Sequence, residues 1–165
     1  MSFKASAAEL SDNVVIALSG EIDGEKVSVD AVLMQNTGLN GLTLEISYDT
    51  EALTLINVER GGALSSLDYI TTNVETEKCY GITPFIINYF MKDTTSGNEN
   101  DKSVGLLFKM EFSVNENIQD GKYTVTLKTE RDHSATYIVD GEVATKNVLI
   151  NGIQVEIKGN KPQSV

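Results

Sequence analysis

An all-β sandwich is the fold this sequence predicts, and three observations carry that prediction. Short runs of alternating apolar and polar residues recur at close spacing, about nine of them, and alternation is the period of a strand. Asp-Gly, Gly-Gly and Asn-Gly pairs punctuate the runs. No stretch holds a helical period, and the two prolines lie outside the strand interiors.

Residues 1–12 are small and polar and read as an N-terminal flank, with the sandwich expected over 13–159. Residues 14–18 form a short first strand, and 20–25 a turn on Asp23-Gly24. In 26–35, Val27, Val29, Ala31 and Leu33 share one face of a second strand. The clearest stretch is 39–62. Leu42, Leu44, Ile46 and Tyr48 alternate there with Thr43, Glu45 and Ser47, and Asp49 is set to fold back on its own backbone as a turn. Residues 53–60 follow as a Leu/Ile/Val/Thr-rich strand closed by Gly61-Gly62. Its apolar parity shifts between Leu55 and Ile56, which predicts a bulge or burial on both sides.

Residues 63–81 read as a loop and one irregular strand. The run 84–92, PFIINYFMK, is the most apolar in the chain, and the polar loop 93–102 follows it. In 104–114 the inward positions are Leu106, Phe108, Met110, Phe112 and Val114. Tyr123, Val125 and Leu127 mark the next strand, 129–147 is a long segment, and 148–157 is the last strand. Residues 160–165 read as a linker or tail.

The chain has 165 residues, enough for one domain that buries roughly 70% of its unfolded surface without disulfide or metal. A net charge of −11 argues against nucleic acid and anionic membranes, because phosphate would be repelled. One cysteine excludes an intrachain disulfide, and no apolar run reaches the roughly 18 residues of a membrane span. Residues 1–4 carry no signal-peptide pattern, as in an excised piece of a larger secreted protein.

Organised chemistry is not visible. His133 is the only histidine, and its neighbours Asp132 and Ser134 would point to the opposite face of a strand, so the three make no triad. Cys79 has no companion thiol and reads as a buried or half-buried group. Glu75 with Glu77, or Asp49 with Glu51, could form a hydrolase pair, but 24 acidic residues supply such pairs by chance. The loop 98–101 offers oxygen ligands without the spacing of a calcium loop. A sugar-binding platform would want flat aromatics, and the chain has no tryptophan. A carbohydrate-binding or adhesin-like sandwich is therefore the second reading, and no metal or cofactor is expected on this chain.

What remains is a surface. A sandwich strand has one face in the core, yet 85–91 is apolar on both faces. Either Ile87, Tyr89 and Met91 line the outside, or the register is opposite and Asn88 is exposed. In both cases apolar side chains reach an outer surface, and such a patch either marks a protein interface or is covered by a loop or a terminus.

The residues also resemble a known family. GLTLEISYD, a short turn and ALTLINVERGG are similar to the third and fourth strands of a cohesin module. VVIALSG, KVSVDAVLMQN, PFIINYFMKD, VGLLFKMEFSV and VLINGIQVEI extend the likeness over residues 14–159. Thr50 stands where the family usually has proline, and the segments 63–83 and 129–147 are longer than its pattern, which suits a ruminococcal type better than the best-known clostridial ones.

The resemblance implies a nine-stranded jelly-roll sandwich that binds a dockerin module, with calcium on the dockerin, as part of an extracellular or cell-surface scaffoldin for polysaccharide degradation. It implies a chain that is monomeric when isolated. Its binding face would be one sheet made of the third, fifth, sixth and eighth strands. On this chain that gives Thr43, Glu45 and Ser47; Asn73, Glu75 and Tyr80; Ile87, Tyr89 and Met91; and Ile138, Asp140 and Glu142 in the loop after the eighth strand. The resemblance thus takes the register that puts Ile87, Tyr89 and Met91 outside.

Overall fold

The computed structural model describes residues 13–71, 85–91, 100–129 and 134–165. Alternation sets the strands. Burial alternates residue by residue through β1 (Val14–Asp23), β2 (Lys26–Gln35) and β3 (Gly41–Tyr48). β4 (Leu53–Arg60), β5 (Leu67–Thr71), β6 (Phe85–Met91), β7 (Gly105–Val114) and β8 (Gly121–Lys128) follow. The chain closes with β9 (Ala135–Val139), β10 (Glu142–Thr145), β11 (Val148–Asn151), β12 (Ile153–Lys158) and β13 (Lys161–Ser164).

These strands make two sheets. One has the order β11-β1-β2-β7-β4; the other runs β10-β9-β3-β8-β12-β13, with β6 on the free side of β3 and β5 beside β6. The first sheet contributes Ile16, Val27, Val29, Ala31, Leu33, Leu55, Met110 and Phe112 to the core. The second contributes Leu42, Leu44, Ile46, Phe85, Ile87, Tyr89, Val125, Leu127, Val155 and Ile157, all buried. The fold is the expected all-β jelly-roll sandwich.

Four sequence-based expectations meet a different local structure. The first strand does not stop at Leu18 but runs through Asp23, paired with Lys26 across a two-residue turn. The segment 129–147 is not one long loop: β9 and β10 form a hairpin. Its turn residues Asp140 and Gly141 both have positive φ, 52° and 78°, the geometry of a type I′ turn. The expected last strand is two strands, because the chain changes sheet at Gly152. β11 pairs in parallel with β1, and β12 pairs antiparallel with β8. Residues 161–164 are not a tail but β13, which pairs with β12, buries Pro162, and brings Val165 against Gly20 of β1. Splitting one strand and adding β9, β10 and β13 takes the count from nine to thirteen among the described residues.

The bulge expected near Leu55 is present. The β4–β7 register jumps from Leu55 to Asn57, leaving Ile56 as the extra residue. A second irregularity lies opposite Ala31 and Val32 and makes Leu107 the extra residue of β7. Leu107 is consequently buried beside Phe108, while Leu106 is only half-buried. Asp49 turns the chain differently from expectation. Its carbonyl accepts from the amides of Ala52 and Leu53, while its carboxylate accepts from Thr124 N across the sheet at 2.8 Å. Asn115 completes that corner, donating to the carbonyls of Thr50 and Glu51 at 3.0 Å each and accepting from Thr54 Oγ1 at 2.6 Å.

Candidate docking face

Two ties hold β6 and β5 onto the opposite sheet, with one ring contact between the two strands, and so fix which side faces out. The Tyr89 hydroxyl crosses the core and donates to the Leu107 carbonyl at 2.9 Å. Tyr69 packs edge-on against Tyr89, with ring centres 5.2 Å apart. The Arg60 guanidinium lies 5.2 Å and 5.6 Å from the Tyr69 and Tyr89 ring centres, and donates to the carbonyls of Leu64 and Leu67 at 3.0 and 2.8 Å. Burial raises the Tyr89 pKa far above the ordinary phenol value; Tyr69 adds to the rise, and Arg60 works against it. The hydroxyl is therefore a permanent donor. Gly61, after Arg60, runs so close to β7 that a Cβ there would clash with the Leu106 carbonyl oxygen.

Ile87 and Tyr89 are thus core residues, each 0% exposed, and the expectation that they line the outer face is corrected. The physical reason is the polar residue between them. Burying the Asn88 carboxamide without partners would cost about 1–3 kcal/mol, whereas Tyr89 can bury its ring and still satisfy its hydroxyl. Met91 shares their side of the strand, is half-buried against the core, and accepts a 3.4 Å contact from Asn40 Nδ2.

The outer face is made by the other parity. β5, β6, β3 and β8 are neighbours in that order, so the four strands named by the resemblance do form one continuous sheet. Pairing of Ile70 with Asn88, Asn88 with Thr43, and Ile86 with Glu45 places these residues side by side. Glu45 pairs in turn with Lys128, and Ser47 with Thr126. Thr43 Oγ1 donates to Asn88 Oδ1 at 3.0 Å, a polar pair at the middle of the face. Around it stand Ile70, 46% exposed, Phe90, 39% exposed, and half-buried Ile86. Asp68, opposite Phe90, and Glu45 supply acid. Thr43, Glu45 and Ser47 point outward as expected, each half-buried.

Ile138 is half-buried in β9, whereas Asp140 and Glu142 are exposed at the hairpin turn and the start of β10. The hairpin belongs to the same sheet, through pairing of Gly41 with Thr136. It is pinned from below by Asn100, whose side chain both donates to Ile138 O at 2.8 Å and accepts from Ile138 N at 2.7 Å. Asn73, Glu75, Tyr80, Cys79 and His133 lie outside the described residues. Ile70, Ile86 and Phe90 are face residues that sequence reasoning left out, and Asn88 was exposed only in the register not taken. The amide of Asn88 was the signal that could have found them.

Among the described residues no three His, Cys, Asp or Glu side chains converge as a metal site. The described tyrosines are engaged in packing. Tyr48 stacks edge-on with Phe112 at 5.1 Å, Tyr123 is packed on the core and donates to Gln119 O, and Tyr137 lies under Lys146.

Two sheets in this order define a jelly-roll sandwich, with a mixed polar and apolar outer face on one of them. The chain belongs to the cohesin family: the family model described as "Cohesin domain" matches residues 13–157. Solved structures share the fold at low identity. The third cohesin of ScaC from Acetivibrio cellulolyticus, solved with the ScaB dockerin, is 18% identical, with a TM-score of 0.60, over 88% of this chain and 97% of that one. The sixth cohesin of scaffoldin B from the same organism, solved with a Cel5 dockerin, is 14% identical, with a TM-score of 0.59, over 88% and 99%. A non-cellulosomal cohesin from the archaeon Archaeoglobus fulgidus is 15% identical, with a TM-score of 0.57, over 89% and 92%. No curated protein sequence matches the chain significantly.

Proposed function

We propose that this chain is a non-catalytic docking module that binds a calcium-loaded dockerin through the outer face of β5, β6, β3 and β8. The observation that carries the reading is the continuity of those four strands. Their outer face sets Ile70, Ile86 and Phe90 around the Thr43–Asn88 pair in a chain of the cohesin family. Its relatives from Acetivibrio are described as complexes with dockerins, which supports the same partner here. In this reading the apolar residues form the desolvated centre and Glu45 and Asp68 steer a basic dockerin helix at the rim. Asn73, Glu75, Tyr80, Asp140 and Glu142 remain part of the proposed contact surface.

The calcium is the dockerin's own, and this chain contributes hydroxyls, an amide and apolar side chains. The biological setting that fits is an extracellular scaffoldin that gathers polysaccharide-degrading enzymes, with the module monomeric by itself.

The test is calorimetry against a panel of dockerins, first with calcium and then with chelator. Tight binding that chelator abolishes is expected. Ile70→Ala combined with Phe90→Ala is expected to weaken it by about 2 kcal/mol or more, the size of an interface hot spot, with the thermal melt nearly unchanged. Full-strength binding by the double variant would place the partner elsewhere. Heat with a soluble glucan and none with any dockerin would favour a sugar-binding sandwich.

A further inference from the structure

The chain contains two Asn-Gly dipeptides, Asn40-Gly41 and Asn151-Gly152. Glycine after asparagine leaves the following backbone nitrogen unshielded by a Cβ, and so able to approach the asparagine side chain. The fold treats the two pairs in opposite ways. Asn40 is 8% exposed; its Oδ1 accepts from Thr136 Oγ1 at 2.7 Å, its Nδ2 reaches Met91 Sδ at 3.4 Å, and its own amide donates to Thr136 O. Gly41 is held in β3 against Thr136. Asn151 and Gly152 are both exposed, and the Asn151 carboxamide makes no hydrogen bond among the described residues. Asn151 ends β11, a four-residue strand at the edge of its sheet, paired only with β1. Gly152 belongs to no strand and is the point where the chain passes from one sheet to the other.

We propose that Asn151-Gly152 is a site of spontaneous deamidation in the folded protein, and that Asn40-Gly41 is protected. The Gly152 backbone nitrogen attacks Asn151 Cγ; the new C–N bond closes a succinimide, and the side-chain nitrogen leaves as ammonia. Water then opens the ring. Opening at the former side-chain carbonyl yields aspartate, and opening at the backbone carbonyl yields isoaspartate. The overall change consumes one water and releases one ammonia, with no oxidant or cofactor. The extended backbone of a strand holds the nitrogen away from Cγ, so the reaction proceeds when the end of β11 frays. The isoaspartyl product carries an extra backbone methylene at the crossover between sheets, where Ala17 pairs with Asn151 and Val125 with Ile153. It also adds one negative charge to a chain already at −11.

The experiment is prolonged incubation of the folded protein in mildly alkaline buffer, followed by peptide mapping by mass spectrometry and isoaspartyl methyltransferase labelling. A parallel sample is held unfolded in urea. In urea both dipeptides are expected to convert at comparable rates. In the native protein Asn151 converts and Asn40 stays intact, and a more acidic species, separable by anion exchange, melts at lower temperature. Asn151→Gln is expected to abolish that species while leaving the starting melt unchanged. Asn151 intact in the native sample while the urea sample converts would overturn the proposal. So would loss of Asn40 as fast as Asn151.

Discussion

Asn88 decides more than any other single residue. Seven residues that are apolar on both faces leave the register of β6 open on hydrophobicity alone, and a slip of one residue exchanges the two faces. A carboxamide in the core needs partners that two packed sheets do not supply, so it goes out, where Thr43 meets it. The tyrosine that seemed the natural contact residue becomes a tie across the core instead. Tyr89→Phe is expected to remove one of two donors to the Leu107 carbonyl, which keeps the Gly61 amide at 2.7 Å, at a cost of about 0.5–1.5 kcal/mol. Tyr89→Ala is expected to cost about 3–5 kcal/mol, through the cavity it opens. Chemical denaturation checks both. Loss of dockerin binding in Tyr89→Ala that tracked the unfolded fraction would be a stability effect, not a contact effect.

Asp101 gives the residue scale its pH dependence. Burial alone would raise its pKa, but four hydrogen bonds outweigh that and lower it. Ser103 donates from Oγ at 2.6 Å and from N at 2.8 Å, and Ser66 from Oγ at 2.5 Å and from N at 3.3 Å. The unfolded chain therefore takes up this proton at higher pH than the folded one. The stabilisation is present in full above the ordinary value of 3.8 and is lost as the pH falls toward the lower folded value. Asp101→Asn is expected to flatten the acid limb of a stability-against-pH curve in that window. An unchanged acid limb would mean that the contacts with Ser66 and Ser103 are not formed in solution.

At the scale of elements, the strands whose faces differ sharply were legible in the sequence: β2, β3 and β8 lie close to where alternation puts them, with the expected residues inward. The parity shift at Ile56 was legible too, because a bulge moves the apolar residues to the other parity and leaves a trace in the pattern. The missed elements have short strands. β9 and β10 carry an Asp-Gly turn between TYIV and EVAT, a signal as strong as the one between β1 and β2 but obscured by a mixed sequence. β13 holds only one apolar inward residue, Pro162, so no periodicity announces it. Ending the chain at Gly159 leaves the edge of β12 unpaired, removes buried Pro162 and takes Val165 from Gly20. The expected loss is about 2 kcal/mol, seen as a fall of about 4–8 °C in melting temperature. A linker would give no change.

The whole molecule is acidic, and that charge acts at long range. With −11 overall and Glu45 and Asp68 on the proposed face, a basic partner would be drawn in before contact. Glu45→Lys is expected to slow association and to weaken its dependence on salt, while dissociation changes less. Stopped-flow binding at two ionic strengths measures both. Equal salt dependence in the two proteins would remove steering from the account. The sandwich architecture and the four strands of the face could be read from pattern and resemblance together. The individual contact residues could not, since they depend on one parity choice and on segments whose sequence lacks a period.

β1 and β11 run parallel, whereas β12 and β13 run antiparallel. Under mechanical tension these two arrangements respond differently. A pull on the start of β1 and the end of β11 slides one strand along the other, so the rungs from Val14–Val148 to Ala17–Asn151 carry the load together. A pull on Val165 opens β13 from β12 one rung at a time, beginning at Ser164–Glu156. Stretched from its two ends, the domain first pays out a short length of slack at low force. Once β12 has also come away from β8, the force reaches the β1–β11 clamp, whose strength lies in simultaneous, not sequential, rupture.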